Sequence, residues 1–139
     1  MGVSGAATGA VRLLLDTHAL VWWWTDDRRL PAAARAAIAA PENVVLVSAA
    51  SAWELATKHR LGKWAEVAPL VDGFDELLRR SRFAPLPITP GQARRAGAMD
   101  WAHRDPFDRM LLAQARDQLV PLVSGDAVFQ DCDVSVIWS

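Results

Sequence analysis

Short apolar runs alternate with helical patterns along this chain, and this alternation restricts the possible folds more than any other feature. We predict strands at residues 11–15, 44–47, 84–88, 120–123 and 134–138. Helical patterns lie between them, at residues 19–24, 31–40, 48–61, 67–80, 90–99 and 105–118. Strands that alternate with helices are typical of a mostly parallel sheet covered on both faces. The sequence therefore predicts an α/β fold, a three-layer α/β/α sandwich with a mostly parallel central sheet.

Length and composition indicate one globular domain. The 139 residues are 52% hydrophobic and 22% charged, which suffices for a buried core. Residues 1–10 are rich in small residues, so we expect a flexible leader there and a single domain at 11–139. No apolar run approaches the roughly 20 residues that cross a bilayer, and Cys132 has no second cysteine to pair with. We therefore expect a cytoplasmic protein without a membrane segment.

The overall charge disfavours one class of function. A formal net charge of −1 gives the surface no general attraction for nucleic acid, which counts against a passive DNA- or RNA-binding module. An enzyme with local phosphate contacts and a metal-neutralised acidic pocket remains compatible with this charge.

Five acidic residues stand at predicted strand ends and helix starts. Asp16 follows the first strand and Asp126 follows the fourth, while Glu54 lies in the third helix. Asp105 and Asp108 lie at the start of the last helix. In open parallel sheets, ligands bind beyond the carboxyl ends of the strands. Converging carboxylates repel one another, and a hard divalent cation with oxygen ligands is a natural reason to collect them.

Each acid alone also has a structural explanation. Asp16 and Asp105 are both well placed to cap a helix, and for Asp105 we favour the cap and keep metal ligation in reserve. Glu54 is spaced for an ion pair with Lys58 four residues later. Asp108 can stabilise the helix dipole. The joint arrangement of strand–Asp, helix–Glu, helix–Asp and strand–Asp favours a common site.

Four motifs carry a resemblance to a known family. They are LLDTHAL at 14–20, SAWEL at 51–55, HRDPFDRMLLAQA at 103–115 and VSGD at 123–126 with VIW at 136–138. With these motifs the chain resembles a PIN-domain ribonuclease, specifically the VapC-type toxin of bacterial toxin–antitoxin pairs, from Leu13 to Trp138. The third motif is the most specific of the four. The resemblance implies a PIN-like fold.

The resemblance also implies an activity and a cofactor. It implies a metal-dependent endoribonuclease in which Asp16, Glu54, Asp108 and Asp126 bind Mg²⁺ or Mn²⁺ and carry catalysis. Such an enzyme hydrolyses the phosphodiester bonds of its RNA substrate. We further predict RNA contacts at Arg104, Arg109, Thr17 and Ser124.

A run of three tryptophans suggests a protein interface. Neighbouring side chains on a helix diverge by about 100°, so we predict that at least one of the three rings is exposed or covered by a partner. The resemblance implies a small cognate antitoxin as that partner, and homodimerisation. The predicted antitoxin interface comprises Trp22, Trp23, Trp24, Leu61 and Trp64.

Two other functions use the same fold. One is a catalytically silent PIN-like binding or scaffold module, which is disfavoured because every acid of the motif is present. The other is a DNA-directed nuclease. It is disfavoured because such relatives usually carry large insertions and this chain is compact.

Overall fold

The structure, a computed structural model, describes residues 10–139. The predicted leader at 1–10 lies outside the described residues except for Ala10. The strands are β1 (Arg12–Leu15), β2 (Val44–Ser48), β3 (Ala84–Leu86), β4 (Leu122–Val123) and β5 (Val136–Ile137). The helices are α1 (Thr17–Trp24), α2 (Ala32–Ala39), α3 (Ala49–Arg60), α4 (Ala68–Asp72), α5 (Phe74–Ser81), α6 (Pro90–Ala98) and α7 (Pro106–Gln118). Short 3₁₀ turns span Ala65–Val67 and Ala127–Phe129.

The five strands form one sheet in the order β3-β2-β1-β4-β5, and all four strand pairs of the described chain are parallel. The predicted parallel α/β architecture is confirmed. At the centre, Leu14 of β1 pairs with Leu46 of β2 and with Leu122 of β4. The proline-bounded β3 lies at an edge, as predicted. Because the strands run in one direction, their carboxyl ends meet at one edge of the sheet.

Both faces of the sheet are buried at its centre, which explains the unbroken apolar runs at residues 13–15 of β1 and 44–47 of β2. Side chains alternate along a strand, so Leu13 and Leu15 pack on the face covered by α1 and α2. Leu14 packs on the opposite face with Leu111 and Leu112 of α7. The result is the predicted three-layer arrangement.

The helical segment predicted at 67–80 is interrupted, so the prediction of one continuous helix is wrong. α4 ends at Asp72 and α5 begins at Phe74, with Gly73 between them at φ −104° and ψ 20°. Glycine costs a helix interior about 0.5–1 kcal/mol relative to alanine, and here it marks the break. No helix in residues 10–139 combines the length and the apolar composition needed to span a membrane.

The three adjacent tryptophans of α1 are all half-buried, so none of the three rings is fully exposed. That a partner covers one of them stays a prediction. All three rings pack against other aromatic rings: Trp22 contacts Trp138, Trp23 contacts Phe83, and Trp24 contacts both Phe74 and Phe83. The helix is enclosed on three sides, which reconciles three diverging rings with burial. Of the other predicted interface residues, Trp64 is half-buried and Leu61 is 51% exposed.

Candidate active site

Asp16 connects the central strand to α1 and is 6% exposed. Its Oδ1 accepts a hydrogen bond from the Ala19 backbone N–H at 2.7 Å, so it caps α1. Burial raises the pKa of Asp16 to about 7, repulsion from Asp108 and Asp126 adds to the rise, and a hydrogen bond from Ser124 opposes it. The cap and the acid cluster are therefore compatible roles for one side chain.

Asp126 follows β4, the strand that pairs with β1 through Leu15 and Val123. Its Oδ1 accepts from the Val128 backbone N–H at 3.1 Å, and its own N–H donates to Ser124 Oγ at 3.0 Å. The parallel pairing of β1 and β4 thus brings Asp126 beside Asp16, as the strand-end positions predict.

Asp105 and Asp108 have different roles at the start of α7. Asp105 Oδ1 accepts from the Phe107 and Asp108 backbone N–H groups at 2.9 and 3.0 Å, which makes it the helix cap. The Asp108 carboxylate instead contacts His103 Nε2 at 2.7 Å. Burial raises the pKa of Asp108 to about 6, His103 opposes this, and repulsion from the neighbouring acids adds to it. The structure therefore favours the cap for Asp105.

Glu54 lies in the second turn of α3 and is 4% exposed. Lys58 Nζ lies 2.5 Å from its Oε2, which is the predicted pairing four residues apart. Repulsion from Glu54 contributes to the raised pKa of Asp108. Glu54 therefore faces the same acid cluster from a second helix.

The four acids share one region but do not form a closed ligand set. Among residues 10–139, no three aspartate, glutamate, histidine or cysteine side chains are arranged to hold a metal ion as they stand. Each carboxylate is engaged with a protein group, Glu54 with Lys58 and Asp108 with His103. The donor set is nevertheless composed of oxygens, and burial, with added repulsion between the neighbouring acids, raises the pKa values of Asp16 and Asp108. That chemistry fits a hard divalent cation.

Comparison with protein-family models identifies the family of this chain. The model of the PIN domain family matches residues 13–134, most of the chain. The chain belongs to the PIN domain family. The resemblance carried by the four motifs is thereby confirmed at the level of the family. Comparison with curated proteins finds no match.

Solved structures share the PIN fold at low sequence identity. VapBC2 from Rickettsia felis, bound to a promoter DNA fragment, is 16% identical over 93% of this chain and 100% of its own, with a TM-score of 0.64. Mycobacterium tuberculosis VapC20, a sarcin-ricin loop cleaving toxin, is 13% identical over 88% and 95%, with a TM-score of 0.65. A toxin–antitoxin complex from Klebsiella pneumoniae is 19% identical over 87% and 92%, with a TM-score of 0.57. At these identities the similarity establishes a common fold.

Two of the predicted RNA contacts have internal partners in this PIN domain. Thr17 is 3% exposed, and its hydroxyl hydrogen-bonds with that of Ser51 at 3.0 Å. Ser124 is fully buried and bonds with Asp16 and Asp126. Both hydroxyls are buried and bonded within the protein, so neither is accessible to RNA.

Arg109, also predicted to contact RNA, binds the protein's own backbone. Its guanidinium donates to the carbonyl oxygens of Ala96, Gly97, Met99, Trp101 and His103. These bonds fix the segment that joins α6 to α7, which delivers His103 to Asp108. No sequence signal distinguishes an arginine bonded to carbonyls from one that faces a phosphate. Arg104 is exposed and remains the predicted arginine available to RNA.

A pocket of about 480 Å³ opens beside Asp16 and Asp126. Trp22, Trp138 and Arg29 contribute to its walls, and His18 lies in the same lining. Trp22 therefore lines the candidate active site, although the sequence suggested an outward-facing interface. Arg29 and Trp138 were not among the predicted site residues. The VIW motif at the chain end is the one sequence signal that pointed toward Trp138.

Proposed function

We propose that this PIN domain is a metal-dependent endoribonuclease that acts as the toxin of a toxin–antitoxin pair. One observation carries the proposal: Asp16 and Asp126 follow adjacent parallel strands, and Glu54 and Asp108 face them from two helices. Family membership supports it. The fold is also that of a toxin described as cleaving the sarcin-ricin loop.

Asp16, Glu54, Asp108 and Asp126 would hold Mg²⁺ or Mn²⁺ in this proposal, with Asp105 kept as a helix cap. The bound ion would act as a Lewis acid toward the phosphodiester and lower the pKa of water. Two acids first have to exchange their present partners for the cation, Glu54 giving up Lys58 and Asp108 giving up His103.

The chain's own groups prepare the site for this exchange. Ser124 Oγ accepts a hydrogen bond from the Asp126 backbone N–H at 3.0 Å, and its hydroxyl lowers the pKa of Asp16, so Ser124 interacts with both strand-end acids. Lys58, once released from Glu54, is a cation beside the acids that can pair with an RNA phosphate. Arg104 is exposed next to the α7 cap and can make a second phosphate contact.

A small antitoxin is the proposed protein partner. The similar structures from Rickettsia felis and Klebsiella pneumoniae are toxin–antitoxin assemblies, which supports a partner of this kind. Leu61 is 51% exposed and is the most exposed residue of the predicted interface, while its four tryptophans are half-buried. Homodimerisation, implied by the resemblance, is part of the same proposal.

A cleavage assay tests the proposed activity. The purified chain is incubated with labelled single-stranded RNA in Mg²⁺, in Mn²⁺ and in EDTA, beside a DNA strand of the same sequence. We expect metal-dependent cleavage of RNA. Asp108→Asn should reduce the rate about a hundredfold or more, because even groups that merely support metal ligands contribute about 10- to 100-fold.

The matched control is Glu42→Gln, which neutralises an exposed acid outside the site and should cleave like the unmodified protein. Cleavage that persists in Asp108→Asn would contradict the proposed role of the acids. A chain that cuts only the DNA strand would favour the DNA-directed nuclease instead. Absence of any cleavage with either metal would favour the scaffold module.

A further inference from the structure

We propose that the pocket beside Asp16 and Asp126 binds a nucleobase of single-stranded RNA, adjacent to the phosphate at the acid cluster. The inference rests on the proposed ribonuclease function and adds the part of the substrate that the protein recognises. Four features of the pocket carry it: an aromatic wall, a second aromatic wall, a fixed cation and a volume of about 480 Å³.

The first wall is the indole of Trp138, which lies against the backbone of Gly125. A Cβ atom at Gly125 would lie 2.4 Å from Trp138 Cε2 and 2.7 Å from Nε1, closer than any side chain tolerates. The indole therefore occupies the space that a side chain would fill. Because Gly125 directly precedes Asp126, this ring is held next to one of the proposed metal ligands.

The second wall is Trp22, with its ring centroid 5.8 Å from that of Trp138 and the planes inclined at 46°. The two rings are tilted toward each other, and both contribute to the pocket lining. The ring centroid of His18 lies 5.7 Å from that of Trp22, and His18, Trp22 and Arg29 line both this pocket and an adjacent depression.

Arg29 supplies a positive charge at the same wall. Its Cζ lies 4.8 Å from the centre of the Trp22 ring. Asp27 accepts from its Nε at 3.1 Å and its Nη2 at 2.8 Å, and this pair orients the guanidinium of a side chain that is 69% exposed. Within residues 10–139, Nη1 makes no hydrogen bond. A planar cation with free donors is suited to a phosphate oxygen or to the edge of a base.

These features match a nucleobase better than other ligands of similar size. Proteins recognise single-stranded RNA by stacking unpaired bases on aromatic rings and on arginine planes. The volume lies in the range of small-ligand pockets. The acids at its floor repel an anionic ligand unless a cation is present, so a neutral ring fits the aromatic side while its phosphate reaches the metal site.

Trp53 provides a built-in comparison. It is 56% exposed and lies one residue before Glu54, with its ring 4.9 Å from Phe107. It therefore stands near the acid cluster but is not part of the pocket lining. If an exposed tryptophan near the acids were enough to bind a base, Trp53 would be the better candidate.

The first experiment leaves the pocket unchanged. Binding of labelled hexaribonucleotides to the Asp108→Asn protein is measured by fluorescence anisotropy, with the intact strand and with six strands that each lack one base. We expect removal of one particular base to weaken binding roughly tenfold, the scale of one lost stacking contact, with smaller effects elsewhere. Uniform affinity across the series overturns the proposal, including the case in which the pocket instead receives a side chain of a protein partner.

The second experiment changes the pocket. In the same background, Trp138→Leu should weaken binding of the intact strand roughly tenfold and remove the dependence on the critical base. Trp138→Phe, which keeps a ring, should retain most of both, and the control Trp53→Leu should change neither. An effect of Trp53→Leu that equals that of Trp138→Leu overturns the proposal. If Trp138→Leu fails to fold by thermal melting, the series of abasic strands decides alone.

Failure of this inference and failure of the proposed function give different results. A chain that cleaves RNA but binds all abasic strands equally is a ribonuclease without a base pocket. A chain that shows the base dependence but never cleaves has the pocket without the enzymatic activity, and the inference stands while the proposed function falls.

Discussion

The imidazole of His103 lies 2.7 Å from the carboxylate of Asp108, and this contact joins the acid cluster to the segment that Arg109 holds. Trp101 lies in the same segment, and its ring centroid is 5.0 Å from that of His103 and 6.0 Å from that of Phe129. Phe129 ends the 3₁₀ turn that Asp126 caps. The segment between α6 and α7 therefore contacts Asp108 through His103, and through Trp101 it contacts the turn that Asp126 caps. Its rigidity should matter for the position of both acids.

Replacing Arg109 with lysine should destabilise the protein. Lysine cannot donate to five carbonyl oxygens in the geometry of a guanidinium, so several of them lose their partner. Hydrogen bonds to charged groups contribute about 1.5–3 kcal/mol, and we expect Arg109→Lys to lower the free energy of unfolding by about 2 kcal/mol in urea denaturation. The matched control is Arg104→Lys, an exposed residue that should change stability by less than about 0.5 kcal/mol. Equal effects would show that Arg109 does not brace the segment.

Stability should fall as pH rises in the absence of metal. Burial raises the pKa of Asp16 to about 7 from an ordinary value of 3.8, so between these values the folded protein holds a proton that the unfolded chain releases. The stabilisation is complete below pH 3.8 and is lost as pH rises through about 7. Asp16→Asn keeps a good helix cap and should reduce this loss by an amount on the order of 1–3 kcal/mol.

Urea denaturation at pH 5 and pH 8 in EDTA measures the effect. Asp108, with its pKa raised to about 6 by burial, also makes stability fall as pH rises, whereas His18, with its pKa lowered by burial, makes stability rise with pH. Asp16→Asn leaves both of these contributions in place. Glu42→Gln, at an exposed acid, should reproduce the slope of the unmodified protein. An Asp16→Asn variant with an unchanged difference between pH 5 and pH 8 would show that Asp16 is not the proton-binding group.

Magnesium should stabilise the folded chain if the acids bind it. An ion that binds only the folded state at a hundredfold excess over its Kd adds about 2.7 kcal/mol, which raises the melting temperature by several degrees. Glu54→Gln should lose most of this increase, since it removes a proposed ligand. The control is Glu66→Gln, an exposed acid in the turn after α3. A melting temperature that responds to Mg²⁺ equally in all three proteins would place the ion elsewhere.

The sequence predicts the sheet and the strand-end acids because both depend on local pattern. The first strand is covered by helices on both faces, so Leu13, Leu14 and Leu15 are all buried. The unbroken apolar run therefore sufficed to predict this strand. Asp16 follows from the end of that run. The roles of Arg109 and Trp22 could not be predicted in this way. Arg109 meets the carbonyl oxygens of the segment before α7, and Trp22 meets the ring of Trp138, only in the complete fold.

Gly125→Ala should damage the pocket and the local packing together. The new Cβ would lie 2.4 Å from the Trp138 indole, so the ring must move, and overpacking of this kind costs about 1–3 kcal/mol. We expect a lower free energy of unfolding and a weaker dependence of RNA binding on the critical base. The matched control is Gly97→Ala in α6, where a Cβ meets nothing within 4 Å. Since alanine is favoured over glycine inside helices, Gly97→Ala should hold or raise stability by up to about 1 kcal/mol. A Gly125→Ala protein as stable as the Gly97→Ala protein, with base dependence intact, would show that the position of the Trp138 ring is not essential.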